Sequence, residues 1–252
     1  VELLARVHHE NLCRLFACST NGPRKCLLLE CMDMSLDKRL VAKPALGWEQ
    51  RVAIIVALCR ALVHLHSLKP KPMIHRDVKS QNVLIKGFTG SQIDSQSVAK
   101  LADFGTARED DRNDGKLRTS QKTHASTKQV VGTSPYMPNE YVRKGQVSER
   151  TDAFALGIVI IELLISEAYD TNVPPHTFCF EAREMVDDER DDELLAAAIK
   201  QKTKASSEAT GWRSSSRAKQ AAKDLTAVAL SCVAGVSRRA CPRDVLVQLE
   251  QA

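Results

Sequence analysis

The stretch His75-Arg76-Asp77-Val78-Lys79-Ser80-Gln81-Asn82-Val83-Leu84 decides the fold of this chain. It combines an aspartate, a lysine and an asparagine with an apolar run. A carboxylate accepts a proton from a hydroxyl, an ammonium group neutralises developing negative charge, and an amide oxygen binds a hard cation. Further along, Asp103-Phe104-Gly105 adds a second carboxylate ahead of a flexible glycine. Base, cation and metal ligands on two neighbouring loops are the groups that phosphoryl transfer requires.

These two motifs resemble the signature of the eukaryotic protein kinases. The wording His-Arg-Asp-Val-Lys-Ser is similar to that of the serine/threonine type, in the tyrosine-kinase-like group that includes the receptor-like and interleukin-receptor-associated kinases. The resemblance implies an α+β, bilobal fold, with mostly the helical large lobe and a partial small-lobe sheet in this chain. It also implies transfer of the γ-phosphate of ATP to protein Ser or Thr hydroxyls in signal transduction, with ATP and Mg²⁺ as cofactors.

The resemblance assigns a role to each polar residue of the motifs. Asp77 would be the catalytic base, and Lys79 would neutralise charge on the phosphate in transit. Asn82 would complete the catalytic set and, with Asp103, hold Mg²⁺. A lysine two residues after the aspartate, and Thr133 after a glycine, fit the serine/threonine class.

The nucleotide site would extend to the segment between the lobes. By resemblance, the Glu30 carbonyl and the Met32 amide would hydrogen-bond adenine, Leu84 would form the floor of the pocket, and Leu29 would be the gatekeeper. The full nucleotide-binding set implied is Glu30, Met32, Lys79, Asn82, Leu84 and Asp103.

Composition narrows the classes of partner and compartment. The net charge of +5 is modest, and no dense Lys/Arg stripe with interleaved aromatic residues appears, so nucleic acid is not a favoured partner. Eight cysteines form no Cys-x-x-Cys pair, which indicates reduced thiols in the cytosol or nucleus, and of these two the cytoplasm is the location we expect. The longest apolar run, residues 154–165, is interrupted by Glu162 and is too short to cross a bilayer, so it predicts a core helix.

The resemblance also divides the chain into two regions. It implies that residues 1–32 are a remnant of the small lobe, with the end of helix C, strands four and five, and the hinge. Residues 33–252 would form the large lobe, including an activation segment over 103–140. The predicted strands are Leu12–Ala17, Cys26–Glu30, Val83–Ile85 and Val98–Leu101. The predicted helices are Trp48–His66, Glu149–Ile165 with Ser148 as N-cap, Leu194–Ile199, Lys219–Val233 and Asp244–Gln251.

Two polar stretches interrupt this pattern. The segment 86–97 is longer than the matching hairpin of kinases usually is, which predicts a surface insertion. The basic, Ser-rich stretch from Lys200 to Arg217 predicts a solvated connector rather than a binding patch.

Several long-range contacts follow from the resemblance. Asp152 would hydrogen-bond the backbone of the loop around Asp77, and Glu140 would form an ion pair with Arg239. An apolar spine would consist of Leu4, Leu15, His75 and Phe104. Arg76 would pair with a phosphate on the loop 119–127, whose acceptors are Thr119, Ser120, Thr123, Ser126 and Thr127, with Thr127 the best candidate.

Two functional classes stay open from the sequence. No Gly-x-Gly-x-x-Gly loop and no Val-Ala-Ile-Lys-like strand precedes residue 75, so we expect an N-terminally truncated fragment that is inactive alone. The full protein would be an active kinase that acts on protein substrates under an upstream receptor or activating kinase, or a pseudokinase or scaffold. The presence of Asp77, Lys79, Asn82 and Asp103 favours the active kinase, because a scaffold has no chemical reason to keep all four.

Overall fold

A body of packed helices carries the loops that hold the motifs. The computed structural model describes residues 7–21, 24–87, 98–110, 125–126, 130–167, 192–235 and 237–251. The helices are α1 (Leu36–Val41), α2 (Trp48–Ser67), α3 (Asn139–Lys144), α4 (Glu149–Ile165), α5 (Asp192–Thr210), α6 (Ser216–Val233) and α7 (Pro242–Gln251). Among these described helices, none has the length and apolar character needed to cross a bilayer.

Helix α4 is the centre of the core. It is apolar on nearly every face, buried along its length from Thr151 to Ile165, and packed against α2, α5, α6 and α7. Its start is set locally, because the Ser148 hydroxyl accepts a hydrogen bond from the Arg150 N–H at 3.2 Å. The predicted bounds of this helix and its N-cap are confirmed.

In the part of the chain that the structure describes, the strands form four small antiparallel sheets. β1 (Leu15–Ser19) pairs with β2 (Cys26–Leu29), and β3 (Met34–Ser35) pairs with β5 (Val83–Lys86), which also pairs with β6 (Val98–Leu101). β4 (Met73–Ile74) pairs with β7 (Arg108–Glu109), and β8 (Ala125–Ser126) pairs with β9 (Gln146–Val147). The family's mixed α and β architecture is therefore present, with the helices dominant.

The first strand begins later than its apolar pattern predicts. Leu12 lies outside β1 and forms an isolated parallel bridge with Leu101 of β6. The Cys13 N–H donates to Leu101 O at 2.9 Å, and the Leu101 N–H donates to Asn11 O at 2.9 Å. The apolar residues at 12 and 13 thus join the β1–β2 hairpin to the helical body instead of extending the hairpin.

The prediction of a solvated connector from Lys200 to Arg217 is wrong, because most of this stretch is helical. Helix α5 continues to Thr210, and α6 begins at Ser216. The buried side of this part of α5 carries hydroxyls that bond back to the helix backbone, such as Ser207 Oγ to Lys204 O at 2.7 Å. A hydroxyl that bonds to the helix backbone in this way can be buried, so the helix continues here without large apolar residues.

Candidate active site

The loop 75–82 is held in place by hydrogen bonds to Asp152, near the start of α4. The Asp152 carboxylate accepts the His75 N–H at 2.9 Å and the Arg76 N–H at 2.8 Å, and it contacts His66 Nε2 at 2.8 Å. Burial tends to raise the pKa of Asp152, but the bonds from His66 and Arg76 outweigh burial and hold the pKa below its ordinary value. The predicted contact between Asp152 and the loop backbone is confirmed. It holds Arg76 at φ 70°, a left-handed conformation that side chains rarely adopt.

Asp77 lies in a closed network with three other side chains. Thr133 Oγ1 donates to its Oδ1 at 2.9 Å, and Asn82 Nδ2 donates to its Oδ2 at 2.9 Å. Lys79 Nζ lies 2.8 Å from Asp77 Oδ2 and donates to Thr133 Oγ1 at 2.8 Å. The sequence motif therefore brings the carboxylate, the ammonium group and the amide together, and residue 133 joins them from a distant part of the chain.

Asp103 lies two residues after the end of β6, the strand that pairs with β5. The Ala102 N–H donates to Asn82 O at 2.9 Å, which ties the end of β6 to the loop 75–82. Asp103 has φ 61°, and its Oδ1 accepts the Gly105 N–H at 3.1 Å. Phe104 packs edge-on against His75, with 5.1 Å between ring centroids.

The predicted spine is therefore present at the contact between His75 and Phe104. Leu15 lies in β1, and Leu4 lies outside the described residues. Burial lowers the pKa of His75, so the ring is neutral at physiological pH and packs as an aromatic side chain.

A cleft of about 600 Å³ separates the β1–β2 hairpin from the loops. Its lining consists of Cys13, Leu27, Leu29, Gln81, Asn82, Leu84, Ala102, Asp103, Phe104, Gly105 and Ala107. Four of the predicted residues, Leu29, Leu84, Asn82 and Asp103, thus share one cavity. Glu30 and Met32 are not part of this lining, and the Glu30 carboxylate lies 2.9 Å from Lys100 Nζ.

In its described part, the segment after Asp103 contacts both the strand before the loop 75–82 and the loop itself. β7 pairs with β4, directly before His75. Further on, Gly132 has φ 128°, and a Cβ there would lie 2.7 Å from the Arg76 carbonyl oxygen, so the close approach requires glycine. This approach brings Thr133 within reach of Asp77.

The predicted phosphate acceptors cannot be compared with the structure. Thr119, Ser120, Thr123 and Thr127 lie outside the described residues, as do residues 88–97 of the expected insertion. Ser126 lies in β8, opposite Gln146.

The predicted ion pair between Glu140 and Arg239 is confirmed. Arg239 Nη1 donates to Glu140 Oε1, and the Arg239 guanidinium lies 5.0 Å from the centroid of the Phe154 ring. Arg239 Nη1 also donates to Arg150 O at 3.1 Å. The pair therefore joins α3 to the start of α4 and to the segment before α7.

Sequence reasoning did not find a second buried cluster beneath the loop. Glu162 Oε1 accepts the Ser80 hydroxyl at 3.0 Å and the Tyr136 hydroxyl at 2.7 Å. A glutamate inside an apolar run is the one signal that could have indicated it, because a buried carboxylate needs hydrogen-bond donors. The identity of those donors depends on residues far away in the chain.

Comparisons with known proteins agree with this geometry. The protein kinase domain family matches residues 1–232. Cysteine-rich receptor-like protein kinase 42 of Arabidopsis thaliana is 35% identical over 178 residues, covering 69% of this chain and 25% of that protein. Receptor-like serine/threonine-protein kinase SD1-8 of the same plant is 36% identical over 171 residues, covering 66% of this chain and 18% of that protein.

The chain spans about a quarter or less of the length of these curated relatives. Even so, the family match covers most of the chain, and the motif residues Asn82, Asp103, Phe104 and Gly105 line one cleft. The chain therefore belongs to the protein kinase domain family and is similar, within it, to receptor-like serine/threonine kinases.

Proposed function

We propose that this protein is a serine/threonine protein kinase that transfers the γ-phosphate of ATP to protein Ser or Thr hydroxyls. The observation that carries the proposal is the network in which the Asp77 carboxylate contacts Asn82, Lys79 and Thr133 beside the cleft that Asp103 lines. A scaffold that only binds partners has no use for a base, a cation and two metal ligands in this arrangement.

Asp77 is the proposed base. Its Oδ1 accepts from Thr133 and its Oδ2 contacts Lys79, so both oxygens are held in fixed directions. A substrate hydroxyl that reaches this carboxylate can give up its proton as it attacks phosphorus. Fixing the base before the substrate arrives lowers the cost of orienting the two groups.

Lys79 is the proposed cation. Its ammonium group has three donors, of which two contact Asp77 and Thr133 at 2.8 Å. An ammonium group beside the base can neutralise charge on the phosphoryl group during transfer. The hydroxyl at 133 would set the direction of this ammonium group.

Asn82 and Asp103 are the proposed Mg²⁺ ligands. Both hydrogen bonds of the Asn82 side chain to Asp77 use the Nδ2 donor, so the carboxamide oxygen is the remaining polar atom of this side chain. Asp103 is exposed at the cleft. One amide oxygen and one carboxylate match the hard oxygen ligands that Mg²⁺ prefers, so the donor set fits the metal. When bound, Mg²⁺–ATP supplies the γ-phosphoryl group and the charge neutralisation for its transfer.

The apolar end of the cleft fits a nucleobase. Leu29 and Leu84 line it, which supports their proposed places beside adenine. We propose the Glu30 carbonyl and the Met32 amide as the hydrogen-bonding partners of adenine on the sequence resemblance.

The proposal extends to domains, partners and compartment. Residues 1–32 would belong to the small lobe and residues 33–252 to the large lobe, with 103–140 as the activation segment. The substrate would be a protein with Ser or Thr acceptors, and an upstream receptor or activating kinase would regulate the enzyme. Use of ATP and the free state of all seven described cysteines favour the cytoplasm.

The test is a phosphotransfer assay with three acceptor libraries. Purified full-length protein, which includes the sequence expected before residue 1, is given Mg²⁺, ATP labelled at the γ-phosphate, and peptides whose only hydroxyl is Ser, Thr or Tyr. We expect label on the Ser and Thr peptides, and loss of that label when EDTA removes the metal. Label on Tyr peptides alone would contradict the serine/threonine assignment. Nucleotide binding without any transfer would favour the pseudokinase or scaffold alternative.

A further inference from the structure

Thr106 joins the Asp103 segment to the loop 75–82 through its side chain. Thr106 ends the 3-10 turn Phe104–Thr106 that begins after Asp103. Its hydroxyl donates to the His75 carbonyl oxygen at 2.9 Å. In the opposite direction, Arg76 Nε donates to the Thr106 carbonyl oxygen at 2.6 Å. The turn and the loop are thus joined by two bonds of opposite direction.

The two bonds differ in what they require of residue 106. The bond from Arg76 uses a backbone carbonyl, which every residue at 106 would offer. The bond to His75 uses the Thr106 hydroxyl, which a residue such as valine would lack. Only the second bond therefore depends on the side chain present in this sequence.

Asp103 is the residue that needs such a tie. Its φ of 61° lies in a region that side chains rarely occupy, and the surrounding structure has to hold it there. The bond between Gly105 N and Asp103 Oδ1 lies within the turn itself, so it cannot position the turn on the body. The contact between Phe104 and His75 is apolar and tolerates sliding, whereas the hydrogen bond from Thr106 is directional.

We propose that the Thr106 hydroxyl is a positioning group that holds the Asp103 carboxylate in register with Asp77. His75 is two residues before Asp77, and Thr106 is three residues after Asp103, so the bond spans the two loops near both carboxylates. This proposal rests on the proposed function, in which Asp103 binds Mg²⁺ and Asp77 is the base. Thr106 itself does not contact the reacting groups; it acts through Asp103.

The proposal predicts an effect confined to the metal end of the cleft. A turn that is free to shift would place Asp103 less well for Mg²⁺, whereas Leu29 and Leu84 at the other end would be unaffected. Nucleotide affinity in the absence of metal should therefore stay constant. The gain in nucleotide affinity on adding Mg²⁺, and kcat, should fall.

The experiment compares three variants of the purified full-length protein, which the proposed function expects to be active. Thr106→Val keeps the branched shape and removes the hydroxyl, and Thr106→Ser keeps the hydroxyl. The matched control is Thr226→Val, because the Thr226 hydroxyl also donates to a backbone carbonyl, Ala222 O at 2.7 Å, but lies in α6 away from the cleft. The measurements are the Kd of ATP with and without Mg²⁺, kcat and KM, and the midpoint of thermal unfolding.

We expect Thr106→Val to reduce the Mg²⁺-dependent gain in ATP affinity about fivefold and kcat about tenfold, since misplacing a reacting group costs rate steeply. Thr106→Ser and Thr226→Val should match the wild type in both quantities. The proposal is overturned if Thr106→Val keeps its Mg²⁺ gain, if Thr106→Ser loses as much as Thr106→Val, or if Thr226→Val loses the same. If the wild type itself transfers no phosphate, the proposed function fails, and the Mg²⁺ gain alone decides the role of Thr106.

Discussion

The loop 75–82 and the β1–β2 hairpin border the same cleft, but they are held by very different numbers of neighbours. The loop donates hydrogen bonds to Asp152 of α4 and accepts them from Thr133 and Ala102. The hairpin, by contrast, leaves Phe16 56% and Leu28 60% exposed. Its described connections to the body are the bridge at Leu12, with the bonds beside it, and the ion pair between Glu30 and Lys100.

The difference fits two different tasks: the loop 75–82 positions reacting groups, whereas the hairpin borders the cleft on its other side. Groups that must be aligned to within a fraction of an ångström lie where several elements restrain them. A cover over the nucleotide needs few contacts, because segments with little buried apolar area open at low free energy. We therefore expect changes near the loop to affect catalysis and folding strongly, and changes in the exposed part of the hairpin to affect them weakly.

The largest effect is expected at the base. Asp77→Asn should reduce kcat by about a thousandfold or more, because the amide cannot accept the proton, whereas ATP affinity should change little. The measurement is single-turnover phosphotransfer beside equilibrium ATP binding. Asp224→Asn, which alters a carboxylate on α6 that accepts from Gln220, is the control and should retain full activity. Near wild-type transfer by Asp77→Asn would show that the base assignment is wrong.

The second prediction concerns the contribution of the buried Arg239–Glu140 ion pair to the free energy of unfolding. Arg239→Leu removes a guanidinium whose side chain is only 2% exposed and leaves Glu140 without its partner. We expect a loss of about 3 kcal/mol in the free energy of unfolding, measured by urea denaturation. Arg60→Leu is the matched control, since the Arg60–Glu250 pair is about half exposed on both sides and should be worth less than about 1 kcal/mol. Equal losses in the two variants would contradict this.

The stability of the fold should decrease in acid, because three histidines are partly or fully buried. Burial lowers the pKa of His9, His64 and His75 below the ordinary value of 6.5. His9 Nδ1 also accepts the Asn11 N–H at 3.1 Å, and its ring stacks on His64 with centroids 4.8 Å apart. The three side chains stay neutral in the folded protein at pH values where they become protonated in the unfolded chain, so acid favours the unfolded chain.

We therefore expect the free energy of unfolding to be fully maintained above pH 6.5. It should decrease as the pH falls from 6.5 toward the lowered pKa values of the folded state. Urea titrations between pH 8 and pH 5 measure this. His64→Gln should flatten the profile, whereas His8→Gln, at an exposed position, should leave it unchanged. A wild-type profile that is flat across this range would rule out the effect.

The smallest effect is expected in the hairpin, and a pair of identical substitutions makes the comparison sharpest. Leu28→Ala should change the free energy of unfolding by less than about 0.5 kcal/mol, because the side chain is mostly exposed. Leu62→Ala in α2 removes a fully buried side chain and should cost about 2–5 kcal/mol. A loss at Leu28 comparable with that at Leu62 would mean that the hairpin is as firmly packed as the body.

Local patterns in the sequence were sufficient for the long helices α2 and α4 and for the motif residues. The start of α4 depends on Ser148 and the residues directly after it, and the apolar period of α2 continues without interruption, so both could be predicted. The partners of Asp152 and Glu140 could also be predicted, but only because the motifs resemble those of a family in which these contacts occur. No pattern within the chain itself indicates that residue 140 meets residue 239.

Only the tertiary structure decided which distant groups meet around the site. Ser80 and Glu162 are 82 residues apart and become neighbours because α4 passes beneath the loop 75–82. Thr106 and His75 meet because β7 pairs with β4. Sequence alone thus determined the kinase motifs and the chemistry of their side chains, since these depend on residue type and short spacing. The tertiary structure determined which of these side chains become hydrogen-bond partners, because such bonds depend on the paths of elements that are far apart in the chain.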